Sequence, residues 1–287
     1  MHAALRRARP ALGTLVEIGV EGLPEAAALA AIEAAFAEVA AVQRCMSFHA
    51  SDSDLARLHR AACGSVVRVD ARTFAVLRMA QRVALASQGA FDVSVAARLV
   101  RLGLLPRPAS PFEPAPDANW RDIELPDDCS VRLRRPLWID LGGIAKGYAV
   151  DRAIGILAGR GASHALVNAG GDLRVHGARA TPVFLRVGQR VPRTPQLELS
   201  DAAIASSAPD GFDDAAPRPH LHGATRATVR GGASASVVAA QCMVADALTK
   251  VVLAAEPECS ARVLAAFGAH ALVHRPASGF ERLGLAA

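Results

Sequence analysis

The sequence predicts an α+β fold, and three observations carry that prediction. Strand-like and helix-like segments do not alternate strictly along the chain, as they would in a doubly wound sheet. No internal repeat is present. The 287 residues suffice for one large domain around a sizeable core, and 1–287 is read as a single domain.

Taken in order, Thr14 to Val20 alternates as a strand entered through a turn at Gly13. Pro24 opens an Ala-rich helix to about Arg44, with Ile32, Phe36, Val39 and Val42 at helical spacing as its buried stripe. A polar turn holds Ser47, His49 and Ser51, and Asp52 or Ser53 caps a short helix from Asp54 to Arg60. His49 reads either as a surface histidine or as a ring that stacks on a planar ligand. Ser65 to Val69 is a strand, and Asp70 caps a helix from about Arg72 to Ser87 whose apolar contacts are Phe74, Leu77, Val83 and Leu85. Gly89 stops it. Asp92, behind Phe91, is either a cap or a ligand contact. The proline-bearing stretch Leu105 to Trp120 is a surface loop. Later, Pro182 to Val187 and Leu197 to Leu199 pair as strands, and Ala203 to Ser207 leads into a polar loop from Pro209 to Pro219. Ser234 to Ala240 is a strand, followed by helices at Cys242 to Ala255 and near Ala261 to Phe267, then a strand at Ala269 to His274.

Composition narrows the function. The formal charge is +5, but the basic residues are scattered with little aromatic interleaving, so nucleic acid gets little support as a partner while anionic small molecules stay open. Five cysteines share no CxxC spacing, which points to neither a disulfide framework nor a zinc site. No run approaches about 18 apolar residues, so no transmembrane segment is expected. The first twenty residues enter strand pattern rather than a signal-peptide core, and the chain as written reads as cytoplasmic.

The stretch most suggestive of a site runs from Leu137 to Gly177. It reads as an apolar strand ending at Asp140, a glycine pair at Gly142 and Gly143, a helix from about Ile144 to Ala158, a strand from Ala165 to Asn168, and a second pair at Gly170 and Gly171. Glycines let a ligand approach main-chain N–H groups, and a helix N-terminus favours phosphate. Lys146, in the first turn, adds a full charge.

A second pointer lies in CMVADALTKVVLAA, an apolar helix interrupted by Asp246 and Lys250. Four residues apart, these share a face and can pair, with Thr249 beside them. On an exposed face such a pair contributes only about 0.3–0.5 kcal/mol. Within a helix apolar nearly all round, charges need partners, and a cavity holding an ion or ligand explains them better. His220 and His222, two apart, have chelate spacing but no third ligand in view.

Six ordered blocks, LGT, MSFHASDSDL, GAFDVSV, IDLGGIAKGYAVDRA, ALVNAGGDLRV and VVAAQCMVADALTK, together resemble the ApbE-type FAD:protein FMN transferases over nearly the whole chain. That resemblance implies mixed and antiparallel sheets with packed helices and an FAD cleft. It also implies cleavage of FAD with transfer of its FMN half to a Thr or Ser hydroxyl of an acceptor protein, release of AMP, and use of Mg²⁺. Family members are often periplasmic or membrane-anchored. Ala90, Phe91 and Asp92 match the family's AFD motif, a flavin-nucleotide contact. Asp140 and Lys146 match FAD-contacting positions, Gly143 a metal-binding carbonyl, and Asp246 a metal-binding carboxylate. His49 stands where the family often has Tyr or Trp, and Leu12 where it usually has Met.

Two departures matter more. Lys250 occupies the position of the family's metal-binding Thr, with Thr249 one place early, so either the ammonium replaces the cation or the metal shifts to Thr249. The family's HxxDPRTG-like segment reads HLHGATRA, leaving His220 or His222 as the site histidine that assists proton removal. Lys250 itself can also stabilise the leaving phosphate. Two rival functions keep the same site: an FAD pyrophosphatase, and a non-catalytic FAD-binding member.

Overall fold

In the computed structural model, which describes residues 4–185, 195–209 and 219–284, the strands and helices fall in this order. They are β1 Leu5–Ala11, β2 Thr14–Glu21, α1 Glu25–Met46, α2 Asp54–Arg60, β3 Val66–Arg68, α3 Ala71–Ala86, α4 Ala96–Arg101, β4 Ile123–Glu124 and β5 Ser130–Leu133. There follow α5 Ala145–Gly159, β6 His164–Ala169, β7 Asp172–His176, β8 Thr181–Phe184, β9 Gln196–Leu199 and β10 Ala203–Ser207. The last are β11 Ser234–Ala239, α6 Cys242–Ala254, α7 Pro257–Ala266, β12 His270–Arg275 and β13 Gly279–Leu283. Eight strands form one sheet in the order β1-β2-β6-β7-β10-β11-β12-β13, every neighbouring pair antiparallel. β3-β5-β4 form a small second sheet and β8-β9 a hairpin. The α+β expectation holds.

Two of the apolar clusters lie between this sheet and helices. Val16, Ile18, Val20, Val167 and Ala165 meet the α1 stripe of Ile32, Phe36 and Val39 and the α5 residues Val150 and Leu157. Ala205, Ala235 and Val237 meet α6 through Ala245, Leu248 and Val252, with α3 supplying Leu77 and Val83. Helix α6 is buried at every position from Cys242 to Thr249, so a polar side chain on it is placed inside the protein.

Several elements differ from expectation for physical reasons. Leu137 to Asp140 joins no sheet: its extended backbone is tied instead to side chain and loop, the Ile139 N–H donating to His59 Nε2 (2.9 Å) and the Asp140 N–H to the Val93 carbonyl (2.8 Å). Leu85 is 67% exposed because it falls one residue beyond the stripe of Val76, Leu77, Ala80, Val83 and Ala84. Ala203 to Ser207, read only as leading into a loop, is itself a central strand. His220 and His222 lie not on a regular strand but in a tight turn, closed by Val229 N–H to the His220 carbonyl and His222 N–H to the Ala227 carbonyl, with one bridge between Leu221 and Thr228. Parts of the expected Pro182 to Val187 strand and the Pro209 to Pro219 loop lie outside the described residues.

Candidate active site

Helices α5 and α6 cross where Gly147 has no side chain: a Cβ there would sit 2.3 Å from the Cys242 carbonyl oxygen. This contact brings α6 close enough for the Gly147 N–H to donate to Asp246 Oδ2 at 3.2 Å. One residue earlier on α5, Lys146 Nζ pairs with Asp172 Oδ2 at 2.6 Å, a carboxylate delivered by the first residue of β7. One turn later on α6, Lys250 Nζ pairs with Asp246 Oδ1 at 2.5 Å and donates to Ser207 Oγ at 3.1 Å. The expected i,i+4 pair is formed. An aspartate after a glycine turn reads as a turn residue, so the sequence gives no cue to Asp172; Ser207, at the end of β10, carries no signal at all.

The carboxylates lie deep and the ammonium groups outermost: the side chains of Asp172 and Asp246 are 1% and 0% exposed, those of Lys146 and Lys250 30% and 17%. Burial pushes Asp246 up, but Lys250 and Lys146 together pull it below the ordinary carboxylate range. Asp172 moves the other way, raised by burial and by the neighbouring charge of Asp246. Burial depresses Lys146, and the attraction of Asp172 and Asp246 outweighs it, so the amine is firmly charged.

Around this cluster the remaining predicted residues fall into place unequally. Gly143 lies against it: a Cβ there would be 3.4 Å from Lys250 Cε and 3.7 Å from Phe91 Cε2. The Asp140 carboxyl accepts the Gly142 N–H at 3.1 Å and feels both His49 and Lys250, although burial raises its pKa overall. Ala90 and Phe91 are buried, and His49 is exposed in the turn before α2. Leu12, at φ +54°, packs against both main apolar clusters while its N–H donates to Gln43. The Thr249 hydroxyl is turned inward, donating to the Asp246 carbonyl (2.7 Å) and meeting Ser207 Oγ (2.9 Å), and is fully buried.

Asp92 is occupied by protein groups. Its oxygens accept the Ser94 N–H (2.7 Å), the Trp120 N–H (3.3 Å) and Arg226 Nη2 (3.0 Å), which together fix the carboxylate in place. Arg226, at φ +58°, also donates to Ser94 Oγ and the Ala118 carbonyl. Together with Gly223 N–H to the Ala90 carbonyl (2.8 Å), this seats the histidine turn on the GAFD segment. A Cβ at Gly223 would collide with the Gly89 carbonyl at 2.3 Å, which is why the seat can be so close. The two histidines then differ. His222 Nδ1 accepts the Thr225 N–H at 3.3 Å, whereas His220 Nδ1 is buried with no partner among the described residues. Burial and the Lys250 charge hold His220 down to about 3, so the ring is neutral at physiological pH.

A separate hollow of about 380 Å³, lined by Tyr148, Asp151, Arg152, Arg174, Gln241 and Met243 among others, shares no residue with the charged cluster. Asp151 beside it is structural, capping α6 by accepting the Cys242 and Met243 N–H groups at 2.9 Å. Among the described residues no helix is long and apolar enough to cross a membrane.

An α+β protein with a lysine-lined, glycine-bared cluster beside a neutral histidine is thus equipped for a phosphorylated anion. The model of the ApbE family matches residues 12–273, and the chain belongs to that family. A Treponema pallidum protein named FAD:protein FMN transferase is 29% identical over 199 residues, 64% of this chain and 55% of the relative. One of the same name from Vibrio cholerae is 27% identical over 188 residues, 56% of this chain and 53% of the relative. The chain spans about half the length of these curated relatives. Among solved structures, the flavin transferase ApbE from Vibrio cholerae superposes with a TM-score of 0.82 at 21% identity, over 98% of this chain and 96% of that one. The ApbE protein from Thermotoga maritima gives 0.83 at 24% identity, over 98% and 97%. At these identities the likeness establishes the fold.

Proposed function

We propose that the chain transfers the FMN half of FAD to a threonine or serine hydroxyl of an acceptor protein and releases AMP. The observation that carries this reading is the convergence of Lys250 and Asp140 on the Gly142–Gly143 turn, with the Lys146–Asp172 pair and His220 in the same electrostatic cluster. Family membership and the names of the relatives support it. In the reaction, the hydroxyl oxygen bonds to the FMN-side phosphorus, the P–O bond to the AMP phosphate breaks, and AMP leaves with that electron pair. Such a transfer asks mainly for alignment and for neutralised oxygens. The ammonium groups of Lys146 and Lys250 hold the diphosphate and offset the charge on the leaving phosphate. His220 Nδ1, partnerless and neutral, accepts the hydroxyl proton, and a bound dianion raises its basicity. Arg226 and Asp92 position that histidine through the turn. Phe91, Ala90, Leu12 and His49 are the nucleotide-side contacts of this reading.

The resemblance also implies Mg²⁺, and the donors present fit it poorly. Asp246 Oδ1 is already held by an ammonium that would repel an incoming cation, and the Thr249 hydroxyl faces inward. Among the described residues no group of three His, Cys, Asp or Glu could hold a metal ion.

Incubation with FAD and an acceptor domain should give covalent flavin fluorescence on a denaturing gel. Release of FMN and AMP without any labelled protein, with every acceptor tried, would instead mark hydrolysis. His220→Ala should lose far more labelling than His222→Ala.

A further inference from the structure

We infer that Lys250 is a built-in cation, so that the site binds the diphosphate of FAD without a divalent metal ion. The inference rests on the reading that this site takes a dinucleotide, and goes beyond it by removing an expected cofactor.

Lys250 is the one residue between Val244 and Val252 of α6 that is not buried, yet its side chain does not extend into solvent. Its ammonium is held by Asp246 Oδ1 at 2.5 Å and Ser207 Oγ at 3.1 Å. An ammonium has three N–H donors, so one remains for a ligand oxygen. Among the described residues Lys146 Nζ donates to Asp172 alone, which leaves two more. Both carboxylates lie beneath their lysines, and the face offered to a ligand is positive. That face abuts the glycine turn: Gly143 has its closest outside neighbour in the Lys250 stem, so a phosphate approaching the bared backbone meets the ammonium at once. Ser207 adds rigidity, because the same oxygen that holds Lys250 is bonded to the buried Thr249 hydroxyl. A fixed, partly desolvated ammonium supplies what a bound cation supplies to phosphate oxygens, and excludes the cation by like charge.

FAD affinity, measured by quenching of flavin fluorescence in EDTA and again in Mg²⁺, tests this without relying on turnover. The wild-type chain should bind FAD within about threefold in the two media, less than 1 kcal/mol apart. Lys250→Thr should weaken binding in EDTA by at least about tenfold and regain it when Mg²⁺ is supplied. The inference is overturned by a wild-type affinity that falls tenfold or more in EDTA, by Lys250→Thr binding as tightly as wild type in EDTA, or by no FAD binding in either medium. If the variant does not fold, the wild-type comparison decides alone. Metal-independent binding with no acceptor ever labelled would sink the transfer reading and leave this inference standing.

Discussion

Gly142–Gly143 and Gly170–Gly171 each end an extended segment, and each precedes one half of the same ion pair, Lys146 in the first case and Asp172 in the second. The backbone asks different things of them. Gly170 and Gly171 have φ of +64° and +105°, the left-handed geometry of the hairpin turn between β6 and β7. Neither glycine of the first pair has positive φ; there the neighbours set the limit, the Asp140 oxygens 3.3 Å from a Cβ on Gly142 and the Lys250 stem 3.4 Å from one on Gly143. The same dipeptide is therefore a folding device in one place and, on the proposed reading of the site, a ligand approach in the other. Four substitutions or titrations separate the two uses.

The largest effect is expected at the pair that both turns deliver. Lys146→Met leaves Asp172, 1% exposed, without its partner, at a cost of about 3–5 kcal/mol in urea unfolding at alkaline pH. Because Asp172 is already raised toward protonation, the penalty should shrink in mild acid, where it takes up a proton. A penalty that does not change with pH would show that packing, not charge, was lost.

A titration probes the approach to the first turn. His59 Nε2 accepts the Ile139 N–H, anchoring Leu137 to Asp140 where a sheet does not, and burial lowers the ring from 6.5 to about 4. Between those values the unfolded chain carries a proton that the folded chain refuses, so stability falls as pH drops through that window, by about 3 kcal/mol in all. His220, held down to about 3, acts in the same direction and extends it. In His59→Gln, which keeps an acceptor and cannot titrate, the fall should be smaller; an unchanged slope would assign it to other groups.

What the sequence revealed follows the same division between local and distant causes. Asp70 caps its helix as read, Ser53 rather than Asp52 caps α2, and Asp246 pairs with Lys250 as its spacing requires, because cap and i,i+4 partner lie within one turn. The site's other half was invisible for want of a local cue. Asp172 meets a lysine 26 residues earlier, and Arg226 reaches Asp92 across 134. Edge strand β1, LRRARPA, is largely exposed and rich in arginine, a composition that protects an edge while hiding the alternation that betrays a strand. The two-residue β4 and four-residue β5 are too short for any period to register.

Gly170→Ala tests the folding turn directly. The left-handed φ costs about 1 kcal/mol, and the new methyl would meet Thr14 Oγ1 at 2.4 Å, so a total of about 2 kcal/mol is expected from thermal or urea unfolding. Adding Thr14→Ala should relieve the collision and leave the backbone share. FAD affinity, measured well below the unfolding midpoint, should stay near wild type. A turn that served the ligand as well would lose affinity in step with stability.

Gly143→Ala should invert that result and has the smallest effect on folding. The position lacks positive φ, a methyl there makes ordinary contact with Lys250 Cε and Phe91 Cε2, and alanine restricts the unfolded chain more than glycine does, so stability should change by less than about 1 kcal/mol in either direction. The methyl nevertheless stands where the backbone is bared between the Lys250 ammonium and the ring of Phe91. FAD affinity should therefore fall about tenfold while the melting curve scarcely moves. If instead Gly143→Ala lowers the melting temperature sharply and the chain that is still folded binds FAD as wild type does, the two pairs have the same job, and the ligand must enter elsewhere than over the first turn.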